Sequence, residues 1–380
     1  MHGVPSNLPS ILVEPDSIDS LPGRVESFEK ESLARLEDPV SVAEMSQSLE
    51  ETLRPPGAPR YTSAEFESAE VPMKCTAGVV VGVVVLALGF GAVYVYDEVM
   101  TLETEQVTED VSVIYGFGGN TGVLRTEHGV VIVDTMTFIA QGRRIRELAE
   151  RIGGGPTQAV INTHYHIDHT HGNPAFAAGT KVVSTQRTRD YLMFFDADYW
   201  KGDAAGTVPN VTFDERHELR IGGKTIRLRH LGRGHTGGDL VVLFKEDRVI
   251  HTGDLFFNHR YPNIDLEAGG SVREWIETLD RILAIDFDQI IPGHGPVTDR
   301  EGLRAFQRFL RDLWKQASDA AAAGKTLGET LATVELQHDE GYEVYSIPFV
   351  VKLDRDFVVR RAWEEASRAV SPAAVPVSKP

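Results

Sequence analysis

Three histidines and an aspartate crowd into six residues, His164-x-His166-x-Asp168-His169, immediately after the apolar run Ala159–Ile161. If that run is a strand, alternation at its end sends His164 and His166 to one side, and the turn that follows presents Asp168 and His169. Imidazole nitrogens and carboxylate oxygens are the donors that a borderline divalent cation such as Zn²⁺ prefers. The lone cysteine, Cys75, allows neither an internal disulfide nor a cysteine-ligated zinc module. Any metal is therefore held by His and Asp or Glu. The chain has to fold so that a strand end opens into a polar cleft deep enough to collect further donors.

The pattern downstream of about Val107 supplies such a scaffold. Short apolar runs bounded by Gly, Asn and Asp read as strands: Val111–Tyr115, Gly122–Leu124, Val130–Val133, Ala159–Ile161, Lys181–Ser184, Ile226–His230, Leu240–Phe244 and Val249–His251. Between and after them, Gln141–Arg151, Ser271–Ala284, Arg300–Ala323 and Asp354–Ser367 read as helices. Strand groups followed by helices predict two sheets covered by helices.

Further chemistry-bearing residues stand at the ends of these strands. Asp134 closes Val130–Val133, Gly234-His235-Thr236 lies between two strands, Gly253-Asp254 follows Val249–Thr252, and Pro292-Gly293-His294-Gly295 comes later. With the His-x-His-x-Asp-His loop, these pieces resemble, in order and spacing, the motifs of the metallo-β-lactamase superfamily of hydrolases.

That resemblance implies an αββα sandwich of two mixed sheets flanked by helices over residues 105–370. It also implies a ligand set: His164, His166 and His235 on one metal, Asp168, His169 and His294 on a second, and Asp254 bridging them. Two Zn²⁺ ions are expected, with iron or manganese as substitutes, and Asp168 is the residue expected to orient the attacking nucleophile. Asp134, and less strongly Thr163 and Asp239, are expected to hold ligand imidazoles in place. An aspartate at 254 resembles the dinuclear, glyoxalase II-like thioester and lactone hydrolases more than the β-lactamases. The implied activity is attack of a metal-held hydroxide on a carbonyl or ester-like bond of a small-molecule substrate. Two rivals stand beside it: an iron oxygenase resembling persulfide dioxygenases, using His164, His235 and Asp254, and a metal-binding membrane protein without catalysis.

His128, His171, His217, His230, His251, His259 and His338 fall in no ligand motif and are expected to be structural or superficial. His171 and His259 lie nearest the motifs and are candidates for the mouth of the cleft. The aromatic stretch Tyr191–Gly202 is read either as core or as a flap facing substrate.

The N-terminal quarter has a different character. Residues 1–73, rich in Pro, Ser and Glu, read as a disordered acidic tail. Residues 77–96, AGVVVGVVVLALGFGAVYVY, carry no charge over about 20 positions, enough for a helix to span the roughly 30 Å hydrocarbon core of a bilayer. Arg54, Arg60 and Lys74 precede this run, and Asp97, Glu98 and Glu103 follow it. That asymmetry predicts a single-pass anchor with the main domain on the non-cytoplasmic side. Met73 followed by Lys74 also fits the start of a secretory signal, which would release the domain to the outside or the periplasm. The formal charge of -18 repels phosphate backbones and argues against a nucleic-acid partner. Residues 371–380, proline-rich, are expected to be a loose end, and nothing in the sequence indicates an oligomeric state.

Overall fold

The computed structural model describes residues 99–176, 179–347 and 351–378. The tail 1–73 and the apolar run 77–96 lie outside the described residues. Among the described residues, no helix is long and apolar enough to cross a membrane.

Strands β1 (Glu103–Gln106), β2 (Val111–Tyr115), β3 (Thr121–Thr126), β4 (Gly129–Val133), β5 (Thr157–Ile161), β6 (Lys181–Thr185) and β7 (Val211–Phe213) form a seven-stranded sheet in sequential order. Its first four strands are antiparallel and its last four run parallel. Strands β8 (Arg216–Ile221), β9 (Lys224–Arg229), β10 (Val241–Phe244), β11 (Val249–His251) and β12 (Gln289–Ile291) form a second sheet, antiparallel except for the β11/β12 pair. A small hairpin, β13 (Tyr345–Ile347) and β14 (Val351–Leu353), stands apart. The helices are α1 (Ile139–Gly153), α2 (Ile167–Thr170), α3 (Gln186–Phe195), α4 (Val272–Leu283), α5 (Arg300–Ala322), α6 (Leu327–Thr333) and α7 (Arg355–Ser367).

Side chains alternate across a strand, so a strand buried on both faces must be apolar throughout. β4 shows the consequence. Val130 and Ile132 pack with Ile145 and Ala149 of α1, while Val131 and Val133 join Leu228, Val242 and Phe244 of the other sheet. On the far side of the second sheet, Val241 and Leu243 meet Trp275 of α4, Phe306 of α5 and Val358 of α7. Helix, sheet, sheet and helix therefore stack as expected, each interface closed by one face of the alternation.

Three of the four predicted helix starts coincide with caps, while α1 begins at Ile139, two residues before the predicted Gln141. Ser271, Asp299 and Asp354 each accept hydrogen bonds from backbone N–H groups of the first turn of α4, α5 and α7. Elements that the pattern did not announce have physical reasons for silence. β8, RHELRI, carries charge on an exposed sheet edge, and β7 and β12 are three residues long. Helix α3 starts earlier than the aromatic stretch suggested, capped by Thr185. Described residues 371–378 form no helix or strand, yet the Ala373 N–H donates to the Glu267 carbonyl and the Ser378 N–H to Asp190.

Two parallel pairs decide where the site lies. Val133 pairs with Ile161 at the ends of β4 and β5, and His251 with Ile291 at the ends of β11 and β12. Parallel neighbours finish at the same sheet edge, so the loops after all four strands open into one crevice.

Candidate metal centre

The crevice gathers all seven predicted donors, in two groups: His164, His166, His235 and Asp254, and Asp168, His169 and His294. Asp254 sits in the turn after β11, almost fully buried, and its two oxygens face different groups. Oδ2 lies 3.8 Å from His164 Nε2 and 3.5 Å from His235 Nε2. Oδ1 lies 3.1 Å from His169 Nε2 and 3.4 Å from His294 Nε2. The first group is closed by His166 Nδ1, 3.2 Å from His164 Nε2 and 2.8 Å from His235 Nε2. The second is closed by Asp168 Oδ2, 3.3 Å from His294 Nε2 and 3.6 Å from His169 Nε2.

Hydrogen bonds behind the rings aim four imidazoles at the centre. Asp134, fully buried, accepts from the Thr163 N–H at 2.8 Å, the Thr163 hydroxyl at 2.7 Å and His169 Nδ1 at 2.8 Å. Its backbone adopts φ 63°, a left-handed conformation that aspartate tolerates better than most residues. With the single Thr163 hydroxyl proton given to Asp134, the Thr163 oxygen is left to accept from His164 Nδ1 at 3.1 Å. His235 Nδ1 donates to the Asn263 carbonyl at 2.9 Å, and His166 Nε2 to Asp265 at 3.0 Å. Each bond fixes the tautomer that leaves the other ring nitrogen's lone pair facing inward.

A metal fits this set by the test of what is left unsatisfied. His169 Nε2 and Asp254 Oδ1 are buried and have no hydrogen-bond partner, an arrangement that costs free energy unless something else accepts both. Room for the donors is made by glycines. A Cβ at Gly119 would stand 2.1 Å from the His169 ring, and one at Gly293 would stand 2.0 Å from Asp254 Oδ1.

Thr163 serves as expected, but Asp239 does not touch a ligand imidazole. It accepts from the Thr236 N–H and hydroxyl, so it holds the turn that carries His235, and burial raises its carboxyl to about 7. Sequence reasoning missed Asn263, Asp265 and Asn120. Asn120 ties the His294 loop down through the Pro292 and Gly295 carbonyls. None of these belongs to a recurring pattern; only their position close after Asp254, or before β3, hinted at them. His251 is structural, as expected: buried, it donates to the Asn120 carbonyl and accepts from the Gly253 N–H, which seats the Asp254 turn. His171 stacks on Tyr199 at 3.6 Å and bonds Asp196 at 2.6 Å, clasping the segment after α3 to the ligand helix α2. His259 joins the β13 region instead, its carbonyl accepting from the Glu343 N–H. In Tyr191–Gly202 the core reading holds for Tyr191, Leu192 and Trp200, which are buried, whereas Met193, Phe194 and Phe195 are exposed.

The charges of the site pull its histidines apart. Burial, with the charge of His169, holds His164 well below its usual range, and burial with His166 holds His235 near about 4. Burial also opposes charge on His294, but Asp254 and Asp168 outweigh it and push that imidazole up to about 9. His169, against the same burial, is held well above the usual value by Asp254, Asp168 and Asp134. A histidine whose folded pKa exceeds the ordinary 6.5 stabilises the fold fully below pH 6.5 and ceases to as pH rises through the folded value. The metal-free chain is therefore expected to lose thermal stability between pH 6.5 and about 9, checked by melting curves after chelation. The zinc-loaded chain should not show that fall, because metal replaces these protons. A chelated melting temperature that rises over this interval would contradict the assignment.

The comparisons with known proteins point to the same fold. The family model for the Metallo-beta-lactamase superfamily matches residues 114–294. The linear primary-alkylsulfatase of Pseudomonas sp. (strain ATCC 19151) is 23% identical over 272 residues, 59% of this chain and 51% of its own. Metallo-beta-lactamase IND-1 of Chryseobacterium indologenes is 27% identical over 182 residues, 47% of this chain and 72% of its own. The structure of the stereoselective inverting sec-alkylsulfatase Pisa1 from Pseudomonas sp. superposes with TM-score 0.51 at 17% identity, covering 69% of this chain and 50% of that one. The chain thus spans about half the length of the alkylsulfatases it matches.

Proposed function

The domain has the metallo-beta-lactamase superfamily fold, and from that premise we propose that it is a dinuclear metal-dependent hydrolase acting on a carbonyl or ester-like bond. The observation that carries this reading is the division of Asp254, one oxygen toward each donor group, since a shared carboxylate lowers the electrostatic cost of placing two cations side by side. When bound there, two Zn²⁺ ions would supply Lewis acidity and a water acidic enough to lose its proton near neutral pH.

The chain's own residues divide the remaining work. His164, His166 and His235 hold one side and Asp168, His169 and His294 the other. Asp134, Asp265 and the Asn263 carbonyl keep the rings from turning. Asp168 is 30% exposed at its side chain, against 4% for Asp254, so it is the carboxylate that faces incoming solvent and substrate. Its role in this reading is to accept a hydrogen bond from the attacking water and to orient it. A glyoxalase II-like preference for thioesters or lactones is part of the proposal, as is anchoring through residues 77–96 with the domain on the non-cytoplasmic side.

The test is to express the full chain, measure its metals, and screen thioesters, lactones, β-lactams, phosphodiesters and a primary alkyl sulfate. About two zinc ions per chain with hydrolysis of a carbonyl ester or thioester is the expected result. One iron with thiol-dependent oxygen uptake would replace this reading with the oxygenase. Bound metal without turnover on any substrate class would favour the non-catalytic role.

A further inference from the structure

Large apolar side chains border the mouth of the metal centre instead of turning inward. Ile167, between the ligands His166 and Asp168, is 51% exposed. Near the same loop Phe195 packs 5.4 Å from the Tyr165 ring, with Phe194 beside it at 5.0 Å, and both remain exposed. Exposed Phe138 stacks on Phe117 at 6.2 Å. The loop that follows Phe117 is bound to the ligand helix, the Gly119 N–H donating to the Asp168 carbonyl at 3.0 Å. Two separate elements, α1 and α3, thus contribute to one apolar rim, the kind of patch that marks an interaction surface.

The same rim lies where the described chain begins. Gln141, on the first turn of α1 beside Phe138 and Ile139, donates through Nε2 to the Val99 carbonyl at 3.0 Å and to the Phe117 carbonyl at 2.9 Å. The uncharged run 77–96 ends three residues before Val99, and three residues reach at most about 11 Å. Whatever holds that run is therefore tethered within a short span of the helical turn that presents Phe138 and Ile139. Arg143, one turn beyond Ile139 on the same side of α1, is exposed and suits phosphate at headgroup level.

We propose that the rim formed by Phe138, Ile139, Ile167, Met193, Phe194 and Phe195 rests on a lipid surface, with the mouth of the metal centre opening at the headgroup level of the membrane that holds residues 77–96. The proposal rests on the anchor reading and is independent of which bond the centre hydrolyses. The strongly acidic chain makes a zwitterionic surface the fitting partner.

The experiment uses the full chain in phosphatidylcholine vesicles whose acyl chains are brominated close to the headgroup. Phe138→Trp and Phe194→Trp are the rim reporters, and Ile152→Trp is the control, an exposed apolar position about 20 Å along α1 from Ile139. Each reporter is read as the emission added to that of the unmodified chain. Both rim reporters are expected to lose about half of that emission, as side chains settled about 5–10 Å into the interface would, and the control to lose little. Quenching at neither rim position, at only one of them, or equally at Ile152 would overturn the proposal. Should Phe194→Trp fail to fold by circular dichroism, Met193→Trp takes its place. Flotation of the unmodified chain separates the two readings. A chain that floats with the vesicles but shows no rim quenching keeps its anchor and loses the rim contact, whereas one that does not float loses both.

Discussion

Asp254→Ala is expected to lower metal content in both donor groups at once and to reduce hydrolysis by more than the roughly 10–100-fold that outer hydrogen-bond partners of ligands typically cost. The reason is geometric. Oδ1 and Oδ2 of this one carboxylate stand 3.1–3.4 Å and 3.5–3.8 Å from the imidazoles of separate groups. Without it the two donor groups would share no carboxylate, and Asp168 on one of them would be the remaining anionic donor to offset repulsion between two cations. His294→Ala is the informative comparison, because it should weaken the group containing Asp168 and His169 and leave the other largely loaded. Metal per chain, measured by mass spectrometry after dialysis against buffered zinc, distinguishes the cases. If Asp254→Ala keeps one group fully loaded, the carboxylate is not shared and the dinuclear reading fails.

The second large effect belongs to a residue that touches no metal position. Asp134→Ala strips three donors of their acceptor in a fully buried site: the Thr163 N–H, the Thr163 hydroxyl and His169 Nδ1. Removing one partner of a buried, hydrogen-bonded charge network usually costs about 3–5 kcal/mol. The variant should therefore melt well below the unmodified chain by scanning calorimetry, with or without chelator. Asp134→Asn should keep most of that stability, since an amide oxygen still accepts from Thr163. Its amide nitrogen cannot accept from His169, so zinc affinity should fall by about 10–100-fold while the fold persists. Equal affinities for Asp134→Asn and the unmodified chain would show that the aspartate only supports the loop and does not set the His169 tautomer.

Much of the site was legible because its chemistry is carried by residue type and local spacing. His164, His166, Asp168 and His169 come from a single loop, and their alternation is a property of any strand that ends in a turn. The partners His235 and Asp254 follow or join strands whose apolar runs were readable, whereas His294 follows β12, whose three residues were too few to read. The helices α4, α5 and α7 announced their starts because Ser271, Asp299 and Asp354 cap them through contacts a few residues long. Elements whose stability comes from distant neighbours were silent. β8 is charged along an edge, and α3 buries Tyr191 and Leu192 while leaving the adjacent Met193 and Phe194 exposed. No local pattern distinguishes those two outcomes for such similar side chains.

The supporting residues divide the same way. Asp134 could be suspected from its place at a strand end, whereas Asp265, Asn263 and Gly119 could not, because each matters through a residue tens of positions away. His166 meets Asp265 across 99 residues, and Gly119 is required only because the His169 ring occupies the space a methyl group would fill. The linear order of amino acids was enough to suggest which side chains can bind a cation, which apolar runs are strands, and where α4, α5 and α7 begin, since those depend on bonding types and on periodicity within a few residues. That one carboxylate divides itself between two donor groups, that four rings are locked with their lone pairs inward, and that an apolar rim surrounds them depend on distances between segments far apart in the chain. Such distances come into being only when the two sheets pack face to face and bring the ends of their parallel strands to a common edge.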